Sequence, residues 1–331
     1  MKKRGAVVFA VPLVVAVVLF AACKKETTSA GSGALDATDN ALFQYLPAGS
    51  TVLAGGNYMK LQNFMQSGVA EASAALADKL GPGMAEWTKC FGGLPDMKKM
   101  RIAMSLKVTG MDAQLRMVLS GATVDDIAGC AQKANFKTTV DPDRKFIAVE
   151  LPQPAANGTY LVLASGALYF RQGIALGAMP KMVAATRTEL EGDIAALGKT
   201  TAADDAAMTA LIAKVDRTKT VWLVGHGDGT PLAEKVGNVW GTFDISSGLA
   251  IEFTVQLKVA DDAKSAEEGF AQLRKSADQL PGDLKDVVKG IQLARNGNDL
   301  HVAAKVSDAQ IKSLAGQFAG LLGGAAMGGG R

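Results

Sequence analysis

Histidine is nearly missing from this 331-residue chain, with His226 and His301 the two present, and cysteine is almost as scarce at three. No spacing of these residues with each other or with carboxylates resembles a zinc site. Ser120-Gly121 and Ser165-Gly166 lack the first glycine of a nucleophile elbow. The glycines around His226 (VGHGDGTP) lack the lysine and helical phosphate-binding pattern of a P-loop. His226, with Asp228 two residues on, reads as a strand end turning through glycine, or else as a base or ligand in a flexible loop. His301 reads as surface. Asp141 and Asp143 (VDPDR) suit a hairpin turn better than a calcium site. The sequon Asn157-Gly158-Thr159 has little meaning in a bacterial-type chain. Net charge is also small. Three of the 35 basic residues and none of the 32 acidic ones lie in the first 22 positions, so beyond them 32 cations face 32 anions. A neutral body offers no field to recruit polyanions, which argues against nucleic acid as a partner.

What is present is globular. Hydrophobic residues make up 48% and charged ones 20%, which excludes wholesale disorder. The length suits roughly two domains at about 150 residues each. Lys2, Lys3 and Arg4 precede an uncharged stretch, Gly5–Cys23, that ends LFAAC and is followed at once by Lys24 and Lys25. A basic start, an apolar centre and a small-residue end make an export signal. The ending resembles the lipobox of bacterial lipoproteins. That resemblance implies cleavage after Ala22 and a diacylglycerol thioether on Cys23, with the new amino group acylated as well. It covers about 25 residues, and Phe20 stands where the family most often has leucine. By resemblance to enteric lipoproteins, Lys24 in place of aspartate implies the outer membrane. A retained helix remains open, because nineteen uncharged residues rise about 28 Å against an apolar bilayer core of roughly 30 Å. An ordinary secretion signal remains open too. Two or more acyl chains anchor a protein stably where one does not. Residues 23–40 then form the lipidated cysteine and a small, polar tether spanning about 20 Å. Residues 323–331 form a glycine-rich tail.

The body between them alternates two periodicities. Ile251, Phe253, Val255 and Leu257 point one way and Glu252, Thr254, Gln256 and Lys258 the other, as in a half-buried strand. The pattern returns at Leu300, Val302, Ala304 and Val306, after a turn at Asn296-Gly297. Strands are expected near 50–55, 100–108, 114–120, 145–151, 160–164, 167–171, 221–225 and 239–245. Helices are expected at 60–80, 182–197 and 205–215, and after Thr123, Asp261 and Ser307. Thr123 with Asp126 forms a capping box, and Asp261 and Asp262 suit a helix dipole. The order strand, strand pair, helix, strand pair occurs twice, with GCAQ (129–132) and GFAQ (269–272) at matching places. The expected fold is therefore α+β, an antiparallel sheet or sheets with helices packed on one face. It is internally duplicated into modules at 41–198 and 199–322.

With Cys23 lipidated, Cys90 and Cys130 remain, an even number for an oxidising compartment. They read as a disulfide closing a loop of about 40 residues, or as two separate buried thiols. Met97, Met100, Met104, Met111 and Met117 crowd one region, either as core filling or as an adaptable apolar lining. The residues point to a non-enzymatic, lipid-anchored envelope protein without cofactor or metal, having a structural or protein-interaction role. The alternative is a carrier or sensor of a hydrophobic, lipid-like ligand; a hydrolase ranks third. The partners implied are the membrane, through the anchor, and either another envelope protein or an apolar ligand.

Overall fold

The computed structural model describes residues 41–310, apart from 58–59, 61–81, 95–99, 110–111, 122, 142–145, 151–158, 164–167, 176–180, 185–186, 197–199, 231, 246–247 and 281–282. The signal, Cys23, the tether, all but Lys60 of the helix expected at 60–80, Met97, Met111, Asp143, Asn157, Ser165, the helix expected after Ser307 beyond residue 310, and the tail lie outside the described residues.

The strands are β1 (Val52–Asn57), β2 (Arg101–Thr109), β3 (Asp112–Leu119), β4 (Lys137–Asp141), β5 (Phe146–Glu150), β6 (Thr159–Leu163), β7 (Leu168–Ala175) and β8 (Lys181–Ala184) in the first half. The second half has β9 (Val221–His226), β10 (Val236–Asp244), β11 (Leu249–Leu257), β12 (Gln292–Asn296) and β13 (Asp299–Val306). All thirteen join one sheet in the order β12-β13-β11-β10-β9-β1-β2-β3-β7-β6-β5-β4, with β8 pairing to β7 off this path. The pairings are antiparallel throughout. The α-helices with both ends among the described residues are α1 (Pro82–Gly92), α2 (Val124–Lys133), α3 (Arg187–Ala195), α4 (Ala206–Ile212), α5 (Ala260–Ser276) and α6 (Asp283–Gly290).

The two halves meet at β1 and β9, and the duplication is plainest there. Ala54 lies opposite Leu223. About that pair Thr51 corresponds to Thr220, Val52 to Val221, Gly56 to Gly225 and Asn57 to His226. The bonds repeat accordingly. His226 N donates to Thr51 O at 3.0 Å and Asn57 N to Thr220 O at 2.9 Å. Val108 N donates to Thr51 Oγ1 at 3.0 Å, and Ile245 N to Thr220 Oγ1 at 3.2 Å. A Cβ on Gly56 would run into Thr220 O, and one on Gly225 into Thr51 O. This is the pattern of a local twofold axis normal to the sheet. Outward from it, β1-β2-β3, α2 and the β4–β5 hairpin match β9-β10-β11, α5 and the β12–β13 hairpin. The difference is the β6–β7 hairpin, inserted between β3 and β5, whereas β13 pairs directly with β11.

One face of the sheet is apolar from β3 across to β13. A single cross-strand row runs Leu115, Leu106, Val52, Gly225, Val239, Val255 and Leu300. On this face α1 and α2 cover a cluster around Met100, Ile102, Leu119 and Val149. At the other end, Val287 and Ile291, from α6 and the residue after it, pack with Ile251 and Ala304, and Ala263 of α5 packs with Leu257 and Leu300. Helix α2 starts as expected, with Asp126 N donating to Thr123 Oγ1 at 3.1 Å and Thr123 N to Asp126 Oδ2 at 3.2 Å. On the opposite face β11 and β13 present Glu252, Thr254, Gln256, His301 and Lys305, the expected polar side. The central strands are covered there as well. Leu53, Ala103, Val118, Trp222 and Val224 are buried under Leu42, Phe43 and Leu46, α3 and α4.

Three local readings shift. Helix α3 begins only at Arg187, because Lys181–Ala184 pair with β7 instead of continuing a weak helical pattern. Helix α1, with Pro82 at its first position, carries Cys90 and was not foreseen. The β12–β13 loop residues are Gly297 and Asn298, with Gly297 at φ 59°, one place later than expected.

Alanine at Gly56 and at Gly225 should each cost about 1–3 kcal/mol, because each adds atoms against backbone. Alanine at the helical Gly129 or Gly269, where a Cβ meets nothing within 4 Å, should stabilise by about 0.5–1 kcal/mol. Urea unfolding of the four variants checks both signs.

Candidate functional site

Cys90 and Cys130 are joined by a disulfide, with their Cα atoms 5.4 Å apart. It fastens α1 to α2, where Trp87 packs against Phe91 and Phe136 at ring distances of 5.9 and 5.5 Å. Met100 is fully buried in this cluster, and Met104 and Met117, opposite each other on β2 and β3, pack against it half-buried. Three of the five clustered methionines therefore line the layer between the sheet and the α1–α2 pair.

His226 ends β9. Its Nε2 lies 3.1 Å from Ser50 O, so the ring donates there, and Nδ1 faces Asp228 Oδ2 at 4.0 Å. Asp228 also pairs with Lys258 at 3.2 Å. His301 is exposed, with Nδ1 3.3 Å from Thr254 Oγ1. The two histidines stand on different strands and do not converge. Ser120 Oγ accepts from Arg101 N at 3.4 Å. Asp141 closes strand β4 opposite Phe146. Among the described residues no group of three His, Cys, Asp or Glu could hold a metal ion, and no helix is long and apolar enough to cross a membrane.

The polar cluster that the fold does assemble lies on the other face, under α3. Arg116 of β3 is 7% exposed. Its Nε donates to Asp193 Oδ2 at 3.0 Å and its Nη2 to Asp193 Oδ1 at 3.1 Å, a two-pronged grip on a carboxylate from α3. Nη2 also donates to Gln114 Oε1 at 3.2 Å. Tyr169 of β7, fully buried, donates its hydroxyl to Asp193 Oδ2 at 2.9 Å. Burial first, and then the neighbouring carboxylate, push the Tyr169 phenol far above its ordinary range. Burial pulls on the Arg116 cation in the opposite sense. The hydrogen bond to Asp193 and the attraction of Asp193 and Tyr169 outweigh that pull and hold its pKa above the usual value.

Donors here outnumber their acceptors. Arg116 Nη1, Ser105 Oγ and Trp222 Nε1 are buried without a hydrogen-bond partner. Ser105 sits directly opposite Arg116 across the β2–β3 pair. Trp222 lies two strands away on the same face, its indole over Gly55. The surroundings are apolar: Leu53, Ala103, Val118 and Ala148 belong to the same buried cluster as Leu190 of α3. An ion pair in such a layer is costly to break by halves.

This site was not foreseen. Its sequence trace is slight, a charged residue in a strand with Gln114 and Val118 beside it on the same face. Asp193 lies 77 residues further on, with nothing in the local pattern to connect them.

Replacing Arg116 with Met, or Asp193 with Asn, should destabilise the fold by about 3–5 kcal/mol each. The double replacement should cost less than the sum of the two, because it leaves no unpaired buried charge; urea titration of all four chains measures the coupling. With Cys23 acylated, the denatured mature protein should show no reactive thiol before reduction and two after it.

No protein-family model matches this chain, and no curated protein matches it either. Among solved structures, crystal forms I, III and IV of TP0453 overlay it with TM-scores of 0.41, 0.46 and 0.44 at 9, 8 and 8% identity. The overlay covers 83% of this chain and 96, 97 and 95% of those chains. A likeness of that degree carries no argument about what this chain does.

Proposed function

We propose that this is a bacterial lipoprotein, held through Cys23 to the periplasmic side of the outer membrane, whose folded body works without catalysis. Export is supported by the fate of the other two cysteines: Cys90 and Cys130 form a disulfide, a bond that persists outside the cytoplasm. The lipobox-like ending at Ala22-Cys23 supplies the anchor. A short tether then keeps the body close to the bilayer surface.

Between a carrier or sensor of an apolar ligand and a purely structural or protein-interaction role, we favour the carrier. The observation that carries this choice is the layer under α3, where an apolar cluster surrounds a few fixed polar groups with unused donors. Ligand sites are built in that way, apolar in most of their lining with a small number of placed polar atoms. A structural module has no use for unspent donors in its core, since each lowers stability.

Two measurements test the reading. Intact mass of the protein purified from membranes should equal a chain starting at Cys23 plus its acyl groups, and Cys23→Ala should release the body from the membrane fraction. An unmodified thiol, or a chain retaining its first 22 residues, overturns the anchor. Native mass spectrometry of the mature protein should show a bound apolar molecule; protein that is consistently ligand-free returns the body to the structural or protein-interaction role.

A further inference from the structure

We propose that two copies of this chain exchange halves through the β1–β9 seam. The strand pairing that closes one chain is then made between two, and each sheet joins the first half of one copy to the second half of the other. The inference stands apart from the carrier reading.

The seam is where a chain can open. On the apolar face the described helices stay with their own halves: α1 and α2 cover the cluster around Met100 and Ile102, and α5 and α6 those around Ile251 and Leu257. Between them Leu106, Val52, Leu223 and Val239, on four successive strands, are half-buried and belong to none of these clusters. Among the described residues, strand pairing is therefore what crosses the seam on this face. On the opposite face the halves also touch, through Phe43 and Leu46 of the first and Met208 and Trp222 of the second. The rings of Phe43 and Trp222 lie 5.6 Å apart.

All of these contacts join one half to the other, so two copies can remake every one of them in exchange. What must differ is the connection from Ala195, the end of α3, to Thr201, which bridges to Pro47. Its six residue steps reach about 20 Å when extended, which lets a chain leave one half-sheet and enter a neighbouring one. Exchange of identical elements in this way is a low-cost route to a dimer.

The partner is a second copy because the opened edges are selective. Val52 faces Gly225 and Gly56 faces Val221, a branched side chain against a glycine at both places. A Cβ on either glycine would strike a backbone oxygen of the other half, so a strand lacking glycine at that register is kept out. Strand β1 would also fit a second β1, with Val52 against Gly56, but that pairing gives up the packing of Phe43 on Trp222. Unpaired edges are in turn a liability until a matching strand closes them. With Cys23 acylated, an exchanged dimer carries two anchors.

The test mixes two mature chains, Ala54→Cys and Leu223→Cys, each keeping the Cys90–Cys130 disulfide. Positions 54 and 223 lie opposite each other across the seam, so exchange brings thiols of different chains within disulfide reach. The mixture is held in urea at the unfolding midpoint, returned to buffer at high protein concentration and oxidised. A His301→Cys chain, its thiol on an exposed strand position, measures random collision. The interchain link between positions 54 and 223 should exceed that control by roughly tenfold, since exchanged halves hold the two thiols together. A yield no higher than the control overturns the exchange, and so does a link found only between two positions 54. If either variant fails to fold, wild-type chains, half of them ¹⁵N-labelled, are taken through the same cycle. A mixed-mass dimer that survives dilution and separates only after a second passage through urea supports the exchange. Monomer alone, or a dimer that falls apart on dilution, overturns it.

Discussion

The pairing of β1 with β9 is the contact on which the rest of the molecule depends. These two strands come from opposite halves of the chain, and their hydrogen bonds turn two half-sheets into one. Their approach is close enough that Gly56 and Gly225 each face a carbonyl of the opposing half. Thr51 and Thr220 each use a side-chain oxygen to hold the strand next to their own. Because the pair is antiparallel, one axis between Ala54 and Leu223 relates both halves. Each helix layer then finds an equivalent apolar end of the same face to cover. Separate half-sheets would each leave β1 or β9 as an open edge, with unpaired backbone groups exposed to other chains.

The opposite face follows a different economy. At β11 and β13 it faces water and is polar; at the central strands it is covered, and there a buried Arg116 is held by Asp193 and Tyr169. An apolar cluster of this kind gains little stability from a buried ion pair over hydrocarbon of equal volume. The pair's donors point from strands, whose positions the sheet holds, and its acceptor arrives on a short helix.

Much of the fold was legible in the residues. Alternation at Ile251–Leu257 and Leu300–Val306, the capping box at Thr123 and Asp126, and the repeated element order led to an antiparallel α+β duplication. Strand pairs and helix starts are written in neighbours two to four places apart, and those are the distances over which sequence patterns speak. Strand β8 was read as helix because its four residues carry too little pattern. Helix α1 was missed because Gly83 and a mixed composition blur its periodicity. The Cys90–Cys130 bridge could be proposed by counting, since lipidation of Cys23 leaves an even number.

The chain by itself determined the anchor-like start, the neutral composition, the duplicated order of elements and the pair of cysteines available to bond. Each is a matter of local chemistry or of arithmetic. Only the tertiary structure decided that both halves share one sheet, that the central strands are covered on two sides, and that Arg116 meets Asp193 and Tyr169. Those outcomes join residues that are far apart along the chain. Nothing in the vicinity of either partner records the other, because burial and charge pairing are settled by where the backbone brings them.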